Sequence, residues 1–209
     1  MNYIKLLGIS ILFLGVTGCA VGNQYNYQNA NVSLPLIGDG ELGVGVVDNR
    51  SYVLNGDKDP DFIGVQRGGF NNPFNVTTAS GASLTDDMAK SLENSLRNSG
   101  YTVSSLRFSS AESSIVASTI AESGKSKNIV LTVTEWKTDI YLKMSLYFNL
   151  LLQVISEDGT TIAKNHMQGD EIIGGGGLEG QNAKTAAAAF ETKIGRLFSN
   201  EAIIDALKN

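Results

Sequence analysis

Hydrophobic and polar positions alternate most strictly between Asp139 and Val154. Ile140, Leu142, Met144, Leu146, Phe148, Leu150, Leu152 and Val154 share one face of an extended chain; Asp139, Lys143, Ser145, Asn149 and Gln153 share the other. A period of two over this length predicts one long, half-buried antiparallel strand. Asp158-Gly159 is a hairpin signal, so Thr161 to Ile173 is expected to return as its partner. Asn128 to Lys137 reads as a further strand, and the three in succession make a meander. Leu42 to Asp48, Phe62 to Val65 and Tyr101 to Val103 are shorter runs with strand character.

Elsewhere the period is helical. Leu84, Met88, Leu92 and Leu96 recur every four residues. Ser83-Leu84-Thr85-Asp86 forms a capping box in front of them, and Asp86 and Asp87 lie in the first turn, where the helix dipole favours negative charge. Gly100 is placed to end that helix. Ser110 to Ser123 predicts a weaker helix with Ile115, Val116 and Ile120 inward, since its many serines compete with helical backbone bonds. Gln181 to Phe198 predicts a long helix with Ala183, Ala187, Phe190, Ile194 and Leu197 in register. Asn200 is placed to cap a last short helix carrying Ile203, Ile204 and Leu207. The order β-β-α-β-α-β-β-β-α predicts an α+β fold. Its sheet is mainly antiparallel but mixed, with helices packed on one face and the other face at least partly wet.

Three stretches resist this reading. Ser51 to Pro60 is polar, contains the turn signal Asn55-Gly56-Asp57, and is expected to be a loop. Gln66 to Phe74 holds two glycines, an Asn pair and Pro73, which disfavour regular structure. Its rings Phe70 and Phe74 either fold the loop onto the domain or, with Arg67, offer a partner-binding surface. Val21 to Asn31 is polar with no apolar period and reads as a flexible tether, with an r.m.s. reach of about 25 Å if some twenty residues are free. The competing arrangement packs it along the domain, because Tyr25 and Tyr27 are unusual in a tether.

The start of the chain has its own pattern. Leu6 to Val16 is apolar except for Gly8, Ser10 and Gly15, follows a segment carrying Lys5, and is too short to span a bilayer as a helix. Val16-Thr17-Gly18-Cys19 resembles the lipobox of bacterial lipoproteins. The resemblance implies a diacylglycerol on the Cys19 thiol, cleavage before Cys19 and acylation of the new amine. An ordinary secretory leader with a Cys beside its cut site is the plainer alternative. Each buried CH₂ of an acyl chain contributes about 0.8 kcal/mol, and stable anchoring takes more than one chain. Ala20 in place of an Asp implies the outer membrane, by resemblance to enterobacterial sorting. The expected division is a leader over 1–18, a lipidated start and tether over 19–40, and one α/β domain over 41–209.

Composition narrows the function. The 209-residue chain carries a formal charge of −5 and no basic cluster, which argues against nucleic acid and against a polybasic grip on anionic lipid. Cys19 is the only cysteine, so once it is lipidated no thiol remains for a disulfide or a metal site.

Motifs with chemical meaning are few. His166 is the only histidine; a surface or hydrogen-bonded strand residue is the simpler reading, and no serine sits in a Gly-x-Ser-x-Gly elbow. Gly175-Gly176-Gly177-Leu178-Glu179-Gly180 fits GxGxxG formally, but no parallel strand with an acidic residue follows, as a dinucleotide site requires. Gly124-Lys125-Ser126 resembles the tail of a P-loop, yet it ends a helix instead of opening one. Asp57, Asp59 and Asp61 match no EF-hand loop and read as a solvated acidic loop. No catalytic residue, cofactor or metal ligand is therefore assigned. Trp136, with Tyr141 and Tyr147 close in sequence, is either core or an aromatic patch on the open sheet face. The candidate partner surface is thus Arg67, Phe70, Phe74 and Trp136.

The layout is similar to that of bacterial lipoproteins of the YajG type. More distantly, it resembles α/β lipoproteins that assist envelope transporters. The shared elements are the lipobox, the helix closing in Leu96-Arg97-Asn98-Ser99-Gly100-Tyr101-Thr102-Val103, and Thr134-Glu135-Trp136-Lys137-Thr138-Asp139 entering a long strand. The Glu157-Asp158-Gly159 hairpin and the C-terminal helix pair complete it. The resemblance implies an envelope lipoprotein without known catalysis, held to the membrane by lipid on Cys19; the expected role is to present the outer sheet face and the Arg67–Phe74 loop to an envelope protein partner. A lipid- or small-molecule-binding auxiliary of a transporter is the alternative, and a periplasmic hydrolase the third.

Overall fold

The computed structural model describes residues 23–176 and 179–208. The leader and Cys19 lie outside the described residues. The elements are β1 (Gln24–Tyr25), β2 (Glu41–Asp48), α1 (Ser51–Leu54), β3 (Phe62–Arg67), β4 (Pro73–Thr78), α2 (Leu84–Asn98) and β5 (Thr102–Ser105). They continue with α3 (Ser113–Ser123), β6 (Lys127–Ile140), β7 (Lys143–Ser156), β8 (Thr161–Gly175), α4 (Glu179–Phe198) and α5 (Glu201–Lys208). The fold is α+β, with a mixed eight-stranded sheet.

β6 is the strand from which the rest is laid out. One edge pairs along its whole length with antiparallel β7, which pairs in turn with β8. Its other edge is shared. Residues 128–133 take β2 in parallel, and residues 138–140 take β3 in parallel. The sheet therefore forks on that side. β5 extends the β2 branch, and β4 then β1 extend the β3 branch.

Side-chain alternation sorts the layers. Ile129, Leu131 and Val133 of β6 and Met144 through Val154 of β7 face inward onto α2, α4 and α5. Leu84, Met88, Leu92 and Leu96 of α2 are all buried there, each contributing about 1.5–3 kcal/mol. The Ser83 hydroxyl accepts from the Asp86 amide at 3.0 Å, so the predicted N-cap is made. The Asn200 side chain likewise accepts from the Ala202 amide.

Five expectations are corrected. The alternating run from Ile140 to Val154 is not one strand: β6 ends at Ile140, the chain turns at Tyr141-Leu142, and β7 returns. A turn of even length preserves the period of two, so the break was invisible in the pattern. β4 (Pro73–Thr78) begins inside the stretch Gln66 to Phe74, where a loop was expected, and Ser51–Leu54, in the other expected loop, form a single helical turn. α3 lies on the opposite sheet face from α2, α4 and α5, where Ile120 packs with Val47, Leu106, Val130 and Ile155. Lastly, residues 23–40 are no free tether: Tyr25 and Tyr27 are fully buried. The segment runs over α2 and α4, whose side chains satisfy its backbone. Ser91 Oγ donates to the Ala30 carbonyl at 2.7 Å, Ser95 Oγ accepts from the Val32 amide at 3.1 Å, and Glu191 accepts from the Asn31 amide at 3.0 Å. This explains two buried serines on the apolar side of α2.

Candidate functional site

A bulge in β6 decides which residues reach the outer face. Between Val133 and Glu135 the register with β7 slips by one residue. Without it, Trp136 would follow Val130 and Thr132 outward. With it, Trp136 turns inward and is 0% exposed. Trp136 is therefore core, not part of an open aromatic patch. Its indole N–H donates to Tyr27 Oη, and Tyr27, Trp136 and Phe190 pack edge to face.

The same slip turns Glu135, Lys137 and Asp139 outward, opposite Asn149, Tyr147 and Ser145 of β7. Lys137 Nζ sits over two rings, 5.2 Å from the centroid of Tyr147 and 5.9 Å from that of Tyr52. Tyr52 Oη donates to Glu135 Oε1 at 2.9 Å. Arg67 grips Asp139 through two hydrogen bonds of 2.8 and 2.6 Å, a bidentate pair that fixes both side chains. The hydrogen bonds from Arg67 hold the Asp139 carboxyl below the usual aspartate range, although partial burial opposes them. Burial and then the Glu135 carboxylate push the Tyr52 hydroxyl well above the ordinary tyrosine value. His166, on β8, shares a 2.8 Å hydrogen bond with Asn149.

Arg50 stands behind this face, at the fork between β2 and β3. It is fully buried. Its guanidinium donates to both Asp48 carboxylate oxygens and to the carbonyls of Pro60 and Phe62. The burial cost of the charge is thereby met by four acceptors. Arg50 positions α1, and α1 positions Tyr52. Neither residue carried a sequence signal, since both fall in the stretch read as a polar loop and its approach.

The sequence-derived surface residues separate. Arg67 belongs to the outer face. Phe70 lies at the β3–β4 turn and is 94% exposed, and Phe74 follows on β4 at 40%. Beside α3, the outer face holds an open cleft of about 260 Å³ lined by Val116, Ile120, Val130 and Ile155 among others. That is below the usual range of about 300–1,000 Å³ for small-molecule sites; a charged open cleft along α2, lined by Asp86, Lys90, Arg97 and Arg107, reaches about 620 Å³. The inner layer is filled: Trp136, Phe190 and Phe198 are fully buried there. Among the described residues, no group of three or more His, Cys, Asp or Glu side chains could hold a metal. None of the helices described is long and apolar enough to cross a membrane.

The chain matches no protein-family model and no curated protein sequence. Solved structures are similar to it to different degrees. It is similar to a Xanthomonas campestris protein of the DUF330 family, with a TM-score of 0.51 and 12% identity over 85% of this chain and 91% of that one. A PelC dodecamer from Paraburkholderia phytofirmans follows at 0.41, with 12% identity over 79% and 95% of the two chains. The lipoprotein GNA1162 from Neisseria meningitidis follows at 0.37, with 13% identity over 75% and 99%. The first of these likenesses establishes a shared fold.

Proposed function

We propose that this chain is a non-catalytic lipoprotein of the bacterial cell envelope, of the layout seen in YajG-type lipoproteins. Acyl chains on Cys19 tether it, the outer membrane being the favoured surface, and its domain faces the periplasm. The observation that carries this reading is the lipobox-like Val16-Thr17-Gly18-Cys19, and the chain becomes fixed soon after it. Asn23 is already buried, its side chain bonds Gln66, and residues 24–25 join the sheet. Lipid at Cys19 would thus hold the whole domain at the bilayer surface with almost no leash.

Such confinement makes weak contacts count, because a surface-bound partner is met at high effective concentration. The outer sheet face suits a protein partner. It presents the Arg67–Asp139 pair, Lys137 between two tyrosine rings, and His166 on fixed strands. The small-molecule alternative has less support, since the inner layer is packed and the clefts that remain, beside α3 and along α2, are open to solvent.

Photocrosslinking in intact cells tests the reading. A crosslinking side chain in place of Tyr147 is expected to trap one discrete envelope protein, and Cys19→Ser to abolish the adduct. The same substitution at Lys184, exposed on α4, is expected to trap nothing. Equal adducts at both positions, or none at Tyr147, would contradict it.

A further inference from the structure

The topology gathers several strand ends at one rim of the sheet. β3 runs parallel to β6, so both finish there. β4 and β7 are antiparallel to them and begin there. β8, antiparallel to β7, finishes there as well, with Gly175 opposite Lys143. The large apolar side chains left in solvent concentrate at this rim. Phe70 and Phe74 lie at the β3–β4 turn, Tyr141 and Leu142 form the β6–β7 turn, and Ile172 is near the end of β8. Leu142 is 79% exposed and Ile172 61%. Exposed apolar groups gathered in this way mark an interaction surface.

The start of the described chain points to the same rim. β1 is parallel to β4, so moving upstream along β1 leads toward the β3–β4 turn. Asn23 bonds Gln66, the neighbour of Arg67 at the rim end of β3. Cys19 is four residues before Asn23, which limits its separation to about 14 Å.

From this juxtaposition we propose that the rim docks on the lipid bilayer itself. Phe70 and Leu142 enter the interface between headgroups and acyl chains, and Tyr141 and Phe74 lie at headgroup depth. The inference rests on the lipid-anchor reading above and adds an orientation to it. A tether this short leaves the rim as the end that can approach the membrane closely. Aromatic and aliphatic tips gain from that approach, as in interfacially bound proteins, and aromatic rings favour this depth. Exposed Lys143, next to Leu142, can reach lipid phosphates while its stem lies along apolar surface. The domain then stands with its strands rising from the membrane. The opposite end, where β6 starts and Ile37 is 87% exposed, points away.

Tryptophan reporters test this in the full-length lipidated protein, purified from membranes and reconstituted into phosphatidylethanolamine–phosphatidylglycerol vesicles. Phe70→Trp and Ile37→Trp replace exposed side chains and leave the core intact; buried Trp136 gives a constant background that the wild type measures. With lipids brominated on their acyl chains, Phe70→Trp is expected to lose most of its added emission and to shift to the blue. Ile37→Trp is expected to keep its emission. Equal quenching at the two positions, or none at Phe70→Trp, in protein that sediments with the vesicles overturns the docked rim and leaves the anchor standing. Protein that fails to sediment with the vesicles overturns both.

Discussion

The indole N–H of Trp136 donates to the hydroxyl of Tyr27 at 3.1 Å, deep in the core and across 109 positions of sequence. This bond fastens the segment that follows Cys19 to the central strand. Burial raises the Tyr27 hydroxyl far above an ordinary tyrosine, so it stays protonated throughout the working pH range. Tyr27→Phe leaves the indole donor unpaired and is expected to cost about 1–3 kcal/mol. Tyr27→Ala also opens a cavity and is expected to cost about 3–5 kcal/mol. Urea unfolding followed by Trp136 emission measures both. A wild-type midpoint for Tyr27→Ala would mean that the segment is not held.

Arg50 is expected to be the costliest charged residue to replace. Arg50→Met strands Asp48 and two carbonyls at the fork, and a loss of about 3–5 kcal/mol follows for breaking a buried pair from one side. The same unfolding assay reads it. Arg67→Met, on the partly exposed outer face, is expected to cost much less.

Gly64 lies where β3 meets β6. A Cβ there would stand 2.2 Å from the Thr138 carbonyl oxygen, which is backbone and cannot swing aside. Gly64→Ala is expected to destabilise by at least about 1–3 kcal/mol through overpacking. Gly40→Ala, with no neighbour in reach of the added carbon, is expected to change the urea midpoint little.

The Arg67–Asp139 pair gives a pH signature. The folded-state pKa of Asp139 is depressed. Its contribution is therefore fully present above the unfolded aspartate value of about 3.9 and is lost as pH falls through the lower folded value. Wild type and Asp139→Asn are expected to differ in urea midpoint at pH 6 and to converge as the pH falls through the depressed folded-state value. A difference independent of pH would show that the carboxylate charge is not what matters.

Much of the fold was legible because local rules agreed with tertiary packing. The N-cap at Ser83, the four-residue period through Leu96, the Asp158-Gly159 turn and the alternation in β7 all describe the structure. What stayed hidden was fixed by pairing at a distance. β1 is two residues long and too short for any period; only its bonds to β4 make it a strand. β4 begins with Pro73 and contains Asn75, residues that disfavour strands. The orientation of Trp136 depends on a one-residue bulge that leaves the composition unchanged. α3 has a weakly patterned surface, so its sequence did not announce which sheet face it would cover. The outer-face grouping of Tyr52, Lys137 and Asp139 also needed the fork at Arg50, which no local pattern signals.

Metabolic labelling with a fatty acid tests the central claim most directly. The wild-type chain, expressed in a bacterium with lipoprotein-processing enzymes, is expected to incorporate label and to fractionate with membranes. Cys19→Ser is expected to carry no label. A wild-type chain without label, or label retained by Cys19→Ser, would contradict lipid anchoring at Cys19.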